Sequence, residues 1–273
     1  MSCECKYQYI NLLTEKAQNG DVNAQYELGR CYYYGNNIIC DRTEAVKWYR
    51  RAAEKGHVKA QYDLAECYLQ GEGIADNEFE AIKWYHRAAI QGYANAQFSL
   101  AYVYEHYGEK EYMEKAKFWY HKAAEGYQRE AEKGNIDAQY NLGDCFFRGK
   151  GVPEDKHEAL KLYSKAAKGY RRLAEKGNSD AQYKLATCYF SGKGVNMNKK
   201  EAVKWYRKAA EQGHVESQAY LGWSYDDGMG IEQDKQKALM WYRKAAKHGD
   251  YMSQVALQRL YAKEKKQSNI IRE

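Results

Sequence analysis

Apolar residues recur along the chain at helical spacing, in two alternating kinds of segment. The first kind places apolar residues four, seven and eight positions after an alanine, as in the segment that begins at Ala24, and this spacing is typical of one face of a helix. The second kind, such as EAVKWYRRAAEKG from Glu44, follows an Asp or Asn. Segments of both kinds end at a glycine, where a helix can be capped. Each pair of segments therefore predicts a hairpin of two helices, helix A and helix B.

The hairpin pattern is repeated six times with a period of about 36 residues. The copies of helix A begin their pattern at Ala24, Ala60, Ala96, Ala138, Ala181 and Ser217. In repeats three and four, helix B carries seven extra residues, close to two helical turns, so its apolar face is kept. Gly126 and Gly169 lie in these insertions, and a glycine inside a helix allows a kink or a break there.

An Asp or Asn three residues before a Glu opens helix B in four repeats, which is the capping-box pattern. The pairs are Asp41 and Glu44, Asn77 and Glu80, Asp155 and Glu158, and Asn198 and Glu201. A single hairpin cannot bury its apolar face, so neighbouring hairpins must stack and the chain ends need caps. We predict a capping helix in residues 1–20, six repeats in 21–249, a capping helix in 250–263 and a charged tail in 264–273.

These residues resemble the Sel-one-like repeat (SLR, Sel1-like) family, a relative of the tetratricopeptide (TPR) repeats. The shared pattern is A-x-x-x-L-G-x-x-Y, then G-x-G-V, then A-x-x-W-Y-x-K-A-A-x-x-G, and this chain departs from it locally at Asn37, at Leu162 and in the loop of repeat three. The resemblance implies an all-α fold: an α-solenoid, wound as a right-handed superhelix, of stacked antiparallel helix pairs with capping half-repeats. It also implies a non-catalytic scaffold or adaptor that holds protein partners.

Composition excludes several classes of protein. The 273 residues carry a formal net charge of +6, without the clustered basic stripe that binds phosphates. No run approaches the roughly 20 apolar residues of a membrane span, and the N-terminus does not read as a secretory signal. We therefore expect a cytoplasmic monomer without a transmembrane segment, while a signal-less secretion route stays open.

The chemistry-bearing residues are better explained by packing than by catalysis. The G-x-G motifs follow helices and lack a third glycine, which argues against a phosphate site. Four of the seven cysteines, Cys31, Cys67, Cys145 and Cys188, share one small core position, and no set of zinc ligands is complete. The sequence predicts no catalytic residue, metal, cofactor or small-molecule substrate, and an enzyme is the least favoured interpretation.

Variable positions of helix A are the candidates for partner binding, because constant positions serve the packing that all repeats share. The resemblance places helix A on the concave side. Aromatic and charged residues there suit a protein or peptide partner with basic and apolar residues. The predicted partner-binding residues are Tyr33, Tyr34, Tyr102, Asp144, Phe147, Arg148, Phe190, Trp223, Asp226 and Asp227.

Two alternatives stay open at the level of sequence. A basic outer surface could bind acidic membrane, or nucleic acid, against which the charge pattern argues. This surface would use helix B and residues Lys263 to Lys266; the helix B residues are Lys47, Arg50, Arg51, Lys204, Arg207 and Lys208. The nearly constant tyrosines of helix A could contact the partner or simply pack between repeats; they are Tyr26, Tyr62, Tyr140 and Tyr183.

Overall fold

The computed structural model describes residues 3–270, and the side chains of residues 8–262. The described residues form fourteen α-helices and no strand. Helix A of the six repeats is α2 (Val22–Tyr34), α4 (Val58–Gln70), α6 (Ala94–Tyr107), α8 (Ile136–Arg148), α10 (Ser179–Ser191) and α12 (Val215–Asp227). Helix B is α3 (Arg42–Glu54), α5 (Glu78–Ile90), α7 (Lys110–Glu132), α9 (Lys156–Glu175), α11 (Lys199–Glu211) and α13 (Lys235–Lys247).

One further helix lies at each end of the chain, α1 (Cys3–Gln18) and α14 (Tyr251–Ile270). Helix α14 continues beyond residue 263, where we predicted a charged tail to begin, and residues 271–273 of that tail lie outside the described residues. The predicted all-α fold of paired helices, the repeating arrangement of a helical solenoid, is confirmed. The chain forms two compact units, Met1–Ala159 and Leu160–Glu273, which are described separately below.

Helix caps determine where each helix begins and ends. Helix α4 is capped at its start by His57, whose Nδ1 accepts a hydrogen bond from the Ala60 amide at 3.1 Å, and at its end by Gly71, with a left-handed φ of 70°. The first turn of a helix has amides without backbone partners, and a side-chain acceptor satisfies one of them. In repeat one, Asn37 takes the place of the second loop glycine and keeps its positive φ of 62°.

Only half of the predicted capping box forms. The Asp41 carboxylate accepts from the Glu44 amide at 2.9 Å, as predicted, but the Asp41 amide donates to the Tyr32 carbonyl of the preceding helix. That amide is therefore not available to the Glu44 side chain, which pairs with Lys47 instead. The expectation of a reciprocal box is wrong in this repeat, because the turn between the two helices uses the cap amide.

The core of each repeat combines small alanines with large helix B rings. In the first unit Tyr49 and Tyr85 are fully buried beside Ala52 and Ala88. The buried helix B tryptophans pack as predicted, and each of these is covered by a cation three residues later, such as Arg51 at 4.4 Å from the Trp48 ring. Cys31, Cys67, Cys145 and Cys188 are buried thiols, which confirms their place in the core.

The extended helices α7 and α9, of 23 and 20 residues, are continuous through Gly126 and Gly169. No break occurs there. A Cβ on Gly126 would lie 2.9 Å from the Cβ of Ala94, so the glycine permits close approach of α7 to α6.

The extra turns change where the next repeat docks. In an ordinary junction the second loop glycine packs against the start of the preceding helix B: a Cβ on Gly73 would lie 2.2 Å from the Arg42 carbonyl oxygen. After α7 the equivalent contact of Gly151 is with Tyr120, which occupies the repeat position of Tyr49, two turns further along helix B. The docking position is thereby displaced by about 10 Å along the helix axis.

Candidate functional site

The constant aromatic residues of helix A pack between elements of the chain. In the first unit the Tyr26 ring lies 5.9 Å from Tyr49 and 4.4 Å from His57. In the second unit Tyr183 lies 5.9 Å from Tyr206 and 4.7 Å from His214. Each ring therefore fills the space between helix B of its own repeat and the N-terminus of the next helix A. Of the two roles that the sequence left open for these tyrosines, packing between repeats explains their positions.

Two predicted residues of the first repeat have partners within the chain. The Tyr33 hydroxyl donates to Glu72, and its ring lies 4.9 Å from both the Arg42 guanidinium and the Tyr34 ring. Burial is the main cause that raises the pKa of Tyr33 far above its usual value. Tyr33 and Tyr34 thus support the junction with the loop of repeat two, and both are only partly exposed.

Other predicted residues of the first unit are more exposed. Tyr102 on α6 keeps 48% of its surface exposed, with His106 beside its ring at 4.8 Å. On α8, Phe147 is 42% exposed, Arg148 is exposed and Asp144 is half-buried. The first unit therefore presents separate aromatic and charged side chains at the variable positions of its A helices.

The second unit brings three aromatic residues together. The Trp223 ring on α12 lies 5.4 Å from Phe190 of α10 and 6.2 Å from Tyr220. Phe190 and Trp223 are both half-buried, and the Trp223 indole nitrogen donates to the exposed carboxylate of Asp227 at 2.6 Å. The sequence predicted Phe190, Trp223 and Asp227, and the structure places them in one cluster. We call Phe190, Tyr220, Trp223 and Asp227 the aromatic cluster.

Asp226, which the sequence placed among the partner-binding residues, is not accessible in the structure. Its side chain is 1% exposed and pairs with both Lys235 and Arg259. A buried carboxylate needs such partners to offset its lost hydration. Helical periodicity turns residue 226 toward α13 and α14, while its neighbour Asp227 faces outward. Asp226 therefore joins the last helices to α12 and does not form part of an accessible surface.

Sequence reasoning missed a cleft beside the aromatic cluster. Its volume is about 490 Å³. The residues that line it come from α12, α13 and α14, with Asp250 preceding α14, and they are Glu216, Ala219, Tyr220, Trp223, Tyr242, Asp250, Met252, Ser253, Val255, Ala256 and Arg259. One signal was available in the sequence: Ala219 and Val255 stand where earlier repeats have Tyr26, Tyr62, Phe98, Tyr140 and Tyr183.

Several basic residues predicted for an outer surface contact aromatic side chains within the repeats. Arg50 donates to the Tyr68 hydroxyl at 2.7 Å, and Arg207 donates to that of Tyr225 at 2.9 Å. Lys208 lies 4.1 Å from the Trp205 ring. These contacts join each helix B to the next helix A or cover its tryptophan.

The part of the chain that the structure describes offers neither a cluster of metal ligands nor a helix that could span a membrane. It contains no group of three or more His, Cys, Asp or Glu side chains that could hold a metal ion. Among its helices, none combines the length and the apolar character required to cross a bilayer. Side chains of Cys3 and Cys5 lie outside this part.

Known proteins share the repeat. The Sel1 repeat family model matches residues 22–57, 58–93, 94–127, 136–169, 179–214 and 215–250. A stretch of 45 residues is 47% identical to the secretory immunoglobulin A-binding protein EsiB of Escherichia coli O6:H1; it covers 16% of this chain and 9% of that protein.

Similarity extends to solved structures. A protective antigen of uropathogenic Escherichia coli with an SLR fold is 34% identical, with a TM-score of 0.43, over 91% of this chain and 50% of that one. A Sel1 repeat protein from Oxalobacter formigenes is 32% identical, with a TM-score of 0.41, over 83% and 85%. The chain thus spans half or less of its Escherichia coli relatives. With six matched repeats in register, this chain belongs to the Sel1 repeat family.

Proposed function

We propose that this protein is a non-catalytic adaptor that binds a protein or peptide through the face formed by its A helices. Sel1 repeat proteins are generally scaffolds for protein–protein interactions. The observation that carries the proposal is the aromatic cluster, where Phe190 and Trp223 remain partly exposed at positions that the repeat does not need for its core. Aromatic residues in such positions are frequent anchors of protein interfaces.

The charge of the cluster indicates the chemistry of the partner. Asp227 is exposed and holds the Trp223 indole in place. A carboxylate next to aromatic faces attracts a cation, because the ring face and the carboxylate are both negative. The partner segment should therefore combine Lys or Arg with apolar residues.

A basic outer surface receives no such support. The arginines of helix B donate to tyrosine hydroxyls of the next helix A, and Lys47 and Lys204 pair with Glu44 and Glu201. Guanidinium and ammonium groups that are held in this way contribute less to a phosphate-binding stripe. The immunoglobulin binding named for the Escherichia coli relative belongs to a protein of which this chain matches 9%.

A displayed peptide library tests the proposal. Selection on the intact protein should enrich segments that combine basic and apolar residues. For an enriched peptide, the double variant Phe190→Ala, Trp223→Ala should lose at least about 2 kcal/mol of binding free energy, which is roughly 30-fold in Kd, because buried aromatic anchors dominate such interfaces. Calorimetric titration measures this loss.

The matched control changes two exposed apolar residues of the second unit on B helices, Leu160→Ala and Met240→Ala, which are 54% and 41% exposed. Circular dichroism should show the same helicity for both double variants. Equal losses of affinity in the two variants, or an enriched set without basic residues, would refute the assignment of the A-helix face.

A further inference from the structure

A packing position that holds an aromatic ring in other repeats is vacant in the last one. In repeat five the Tyr183 ring lies between Tyr206 of helix B and His214 at the start of the next helix A. In repeat two, Tyr62 lies in the same way between Tyr85 and Tyr93, at 5.8 and 5.4 Å. Repeat six has Ala219 at this position, so no ring of the repeat itself fills the space.

The cleft of about 490 Å³ occupies this space. Its lining includes Ala219, Tyr242 and Asp250, which are the sixth-repeat counterparts of Tyr183, Tyr206 and His214. Tyr220 and Trp223 contribute further aromatic surface, and Met252 and Val255 line the cleft from α14. The cleft is therefore shaped by a packing site that elsewhere accepts a planar group.

Two of the three charged residues that line the cleft are acidic. Asp250 replaces the aromatic or imidazole ring that flanks this position in repeats two and five, and it keeps its role as a cap, accepting from the Ser253 amide at 2.7 Å. Glu216 is a second carboxylate in the lining. Arg259, the cation among the described lining residues, is paired with the buried carboxylate of Asp226. The described lining therefore carries two carboxylates, Glu216 and Asp250, against one cation that is already paired.

A second observation also points to a ligand. Ser253 is fully buried and lines the cleft, and its hydroxyl has no hydrogen-bond partner. Such groups in native proteins are normally satisfied, because leaving one unpaired costs free energy. In repeat six the equivalent Ser217 hydroxyl lies 3.1 Å from the His214 ring nitrogen. The Ser253 hydroxyl has almost no accessible surface, so a ligand in the cleft can satisfy it once the side chain rotates toward the lining.

We propose that this cleft binds an arginine side chain of a partner peptide. This inference rests on the proposed adaptor function and assigns one anchor to it. A guanidinium group is planar, stacks on aromatic faces and pairs with carboxylates, so it fits Tyr242 and Trp223 together with Asp250 and Glu216. A lysine ammonium is compact and strongly hydrated and lacks the planar shape. A neutral aromatic ring has the shape but leaves the two carboxylates without a cation.

The experiment follows the indole Nε1–H signal of Trp223 by NMR in the full-length protein, assigned with Trp223→Phe. The probe is the peptide acetyl-Gly-Arg-Gly-amide, compared with peptides that carry citrulline, Lys or Phe in place of Arg. We expect saturable shifts with Arg and at least about tenfold weaker binding of the citrulline peptide, which keeps the planar shape but loses the charge.

Two variants of the cleft make the result specific. Ala219→Tyr restores the ring of the other repeats and should abolish the Arg-dependent shift without lowering the thermal midpoint. Ala219→Ser leaves the cleft open and should bind as the unchanged protein does. Asp250→Asn retains a helix cap and should weaken binding about tenfold through the lost charge; it provides a test if Ala219→Tyr does not fold.

The outcomes separate this inference from the proposed function. Binding of Phe or citrulline peptides as tight as that of the Arg peptide, or no shift with any probe, overturns the arginine cleft. In that case library peptides that depend on Phe190 and Trp223 would still support the adaptor. Arg binding that persists in Ala219→Tyr also overturns the cleft, because the cation then binds elsewhere.

Discussion

A glutamine directly after the alanine or serine that begins each helix A pattern joins that helix to the preceding helix B. The Gln61 side-chain amide donates to the Ala53 carbonyl at 3.0 Å, and Gln182 donates to Ala174 at 3.1 Å. Gln25 makes the same bond to Ala17 of α1, so α1 takes the place of a helix B before the first repeat. One buried side chain therefore recognises the helix end that precedes it, which explains why the residue recurs.

Asp63 on α4 makes stability depend on pH. Burial, opposed by a hydrogen bond from Tyr26 and the charge of Arg30, raises the pKa of Asp63 to about 6, above the value of about 3.9 in an unfolded chain. The folded state then binds the proton more tightly, so this residue should reduce stability as the pH rises from 4 to 7, by about 2–3 kcal/mol.

Asp63→Asn keeps an acceptor for Tyr26 and removes the titration. We expect the variant to be more stable than the unchanged protein at pH 7 and to lose this advantage near pH 4, as measured by urea unfolding across that range. Asp21→Asn, a change at an exposed helix cap, is the control. A constant difference between the Asp63 variant and the unchanged protein at all pH values would contradict the raised pKa.

At the level of elements, the loop glycines set the contact between one repeat and the next. Gly71 and Gly73 have nearly the same φ, 70° and 72°. A Cβ on Gly71 would meet its nearest neighbour at an ordinary 3.5 Å, whereas one on Gly73 would meet the Arg42 carbonyl oxygen at 2.2 Å. Any other residue at either position would have the backbone strain of a left-handed conformation. Only the one at Gly73 would also disturb the contact between repeats.

Alanine at these two glycines should separate strain from docking. We expect Gly71→Ala to cost about 1 kcal/mol, from the left-handed conformation alone. Gly73→Ala should cost about 2–4 kcal/mol, because the added methyl group also forces helix A of repeat two away from α3. Urea denaturation measures both, and equal costs would show that the close approach carries no energy.

For the whole chain, each repeat gains its stability from its neighbours. In such an array opening can start in one repeat and does not require global unfolding. Three buried thiols report on different repeats: Cys31 in repeat one, Cys67 in repeat two and Cys145 in repeat four, exposed by 8%, 1% and 0%. Burial raises the pKa of each thiol, that of Cys145 to about 12, so the reactive thiolate forms only after local opening.

Alkylation followed by peptide mass spectrometry should therefore label Cys31 before Cys67 and Cys145 in the native protein, with Cys3 and Cys5 replaced by Ser. In denaturant all three should react at one fast rate. A single slow rate for all three in the native state would mean that the chain opens as one cooperative unit.

The sequence alone determined the repeat, its period and most helix boundaries. Because the pattern recurs six times, its copies can be compared with one another, and the constant alanines, leucines and tyrosines identify the core without any coordinates. It also placed Phe190, Trp223 and Asp227 at positions released from packing. These properties are local, since they depend on spacing within one helix and on the residues that end it.

Tertiary structure decided which side chains have partners. Asp226 and Asp227 are adjacent in sequence, yet one is buried between Lys235 and Arg259 and the other is exposed. The reciprocal capping box failed because the Asp41 amide found a carbonyl in another helix. The cleft at Ala219 exists because α13 and α14 surround a missing ring. Each outcome depends on contacts between different helices, and the spacing of residues within one helix does not identify the partner on another.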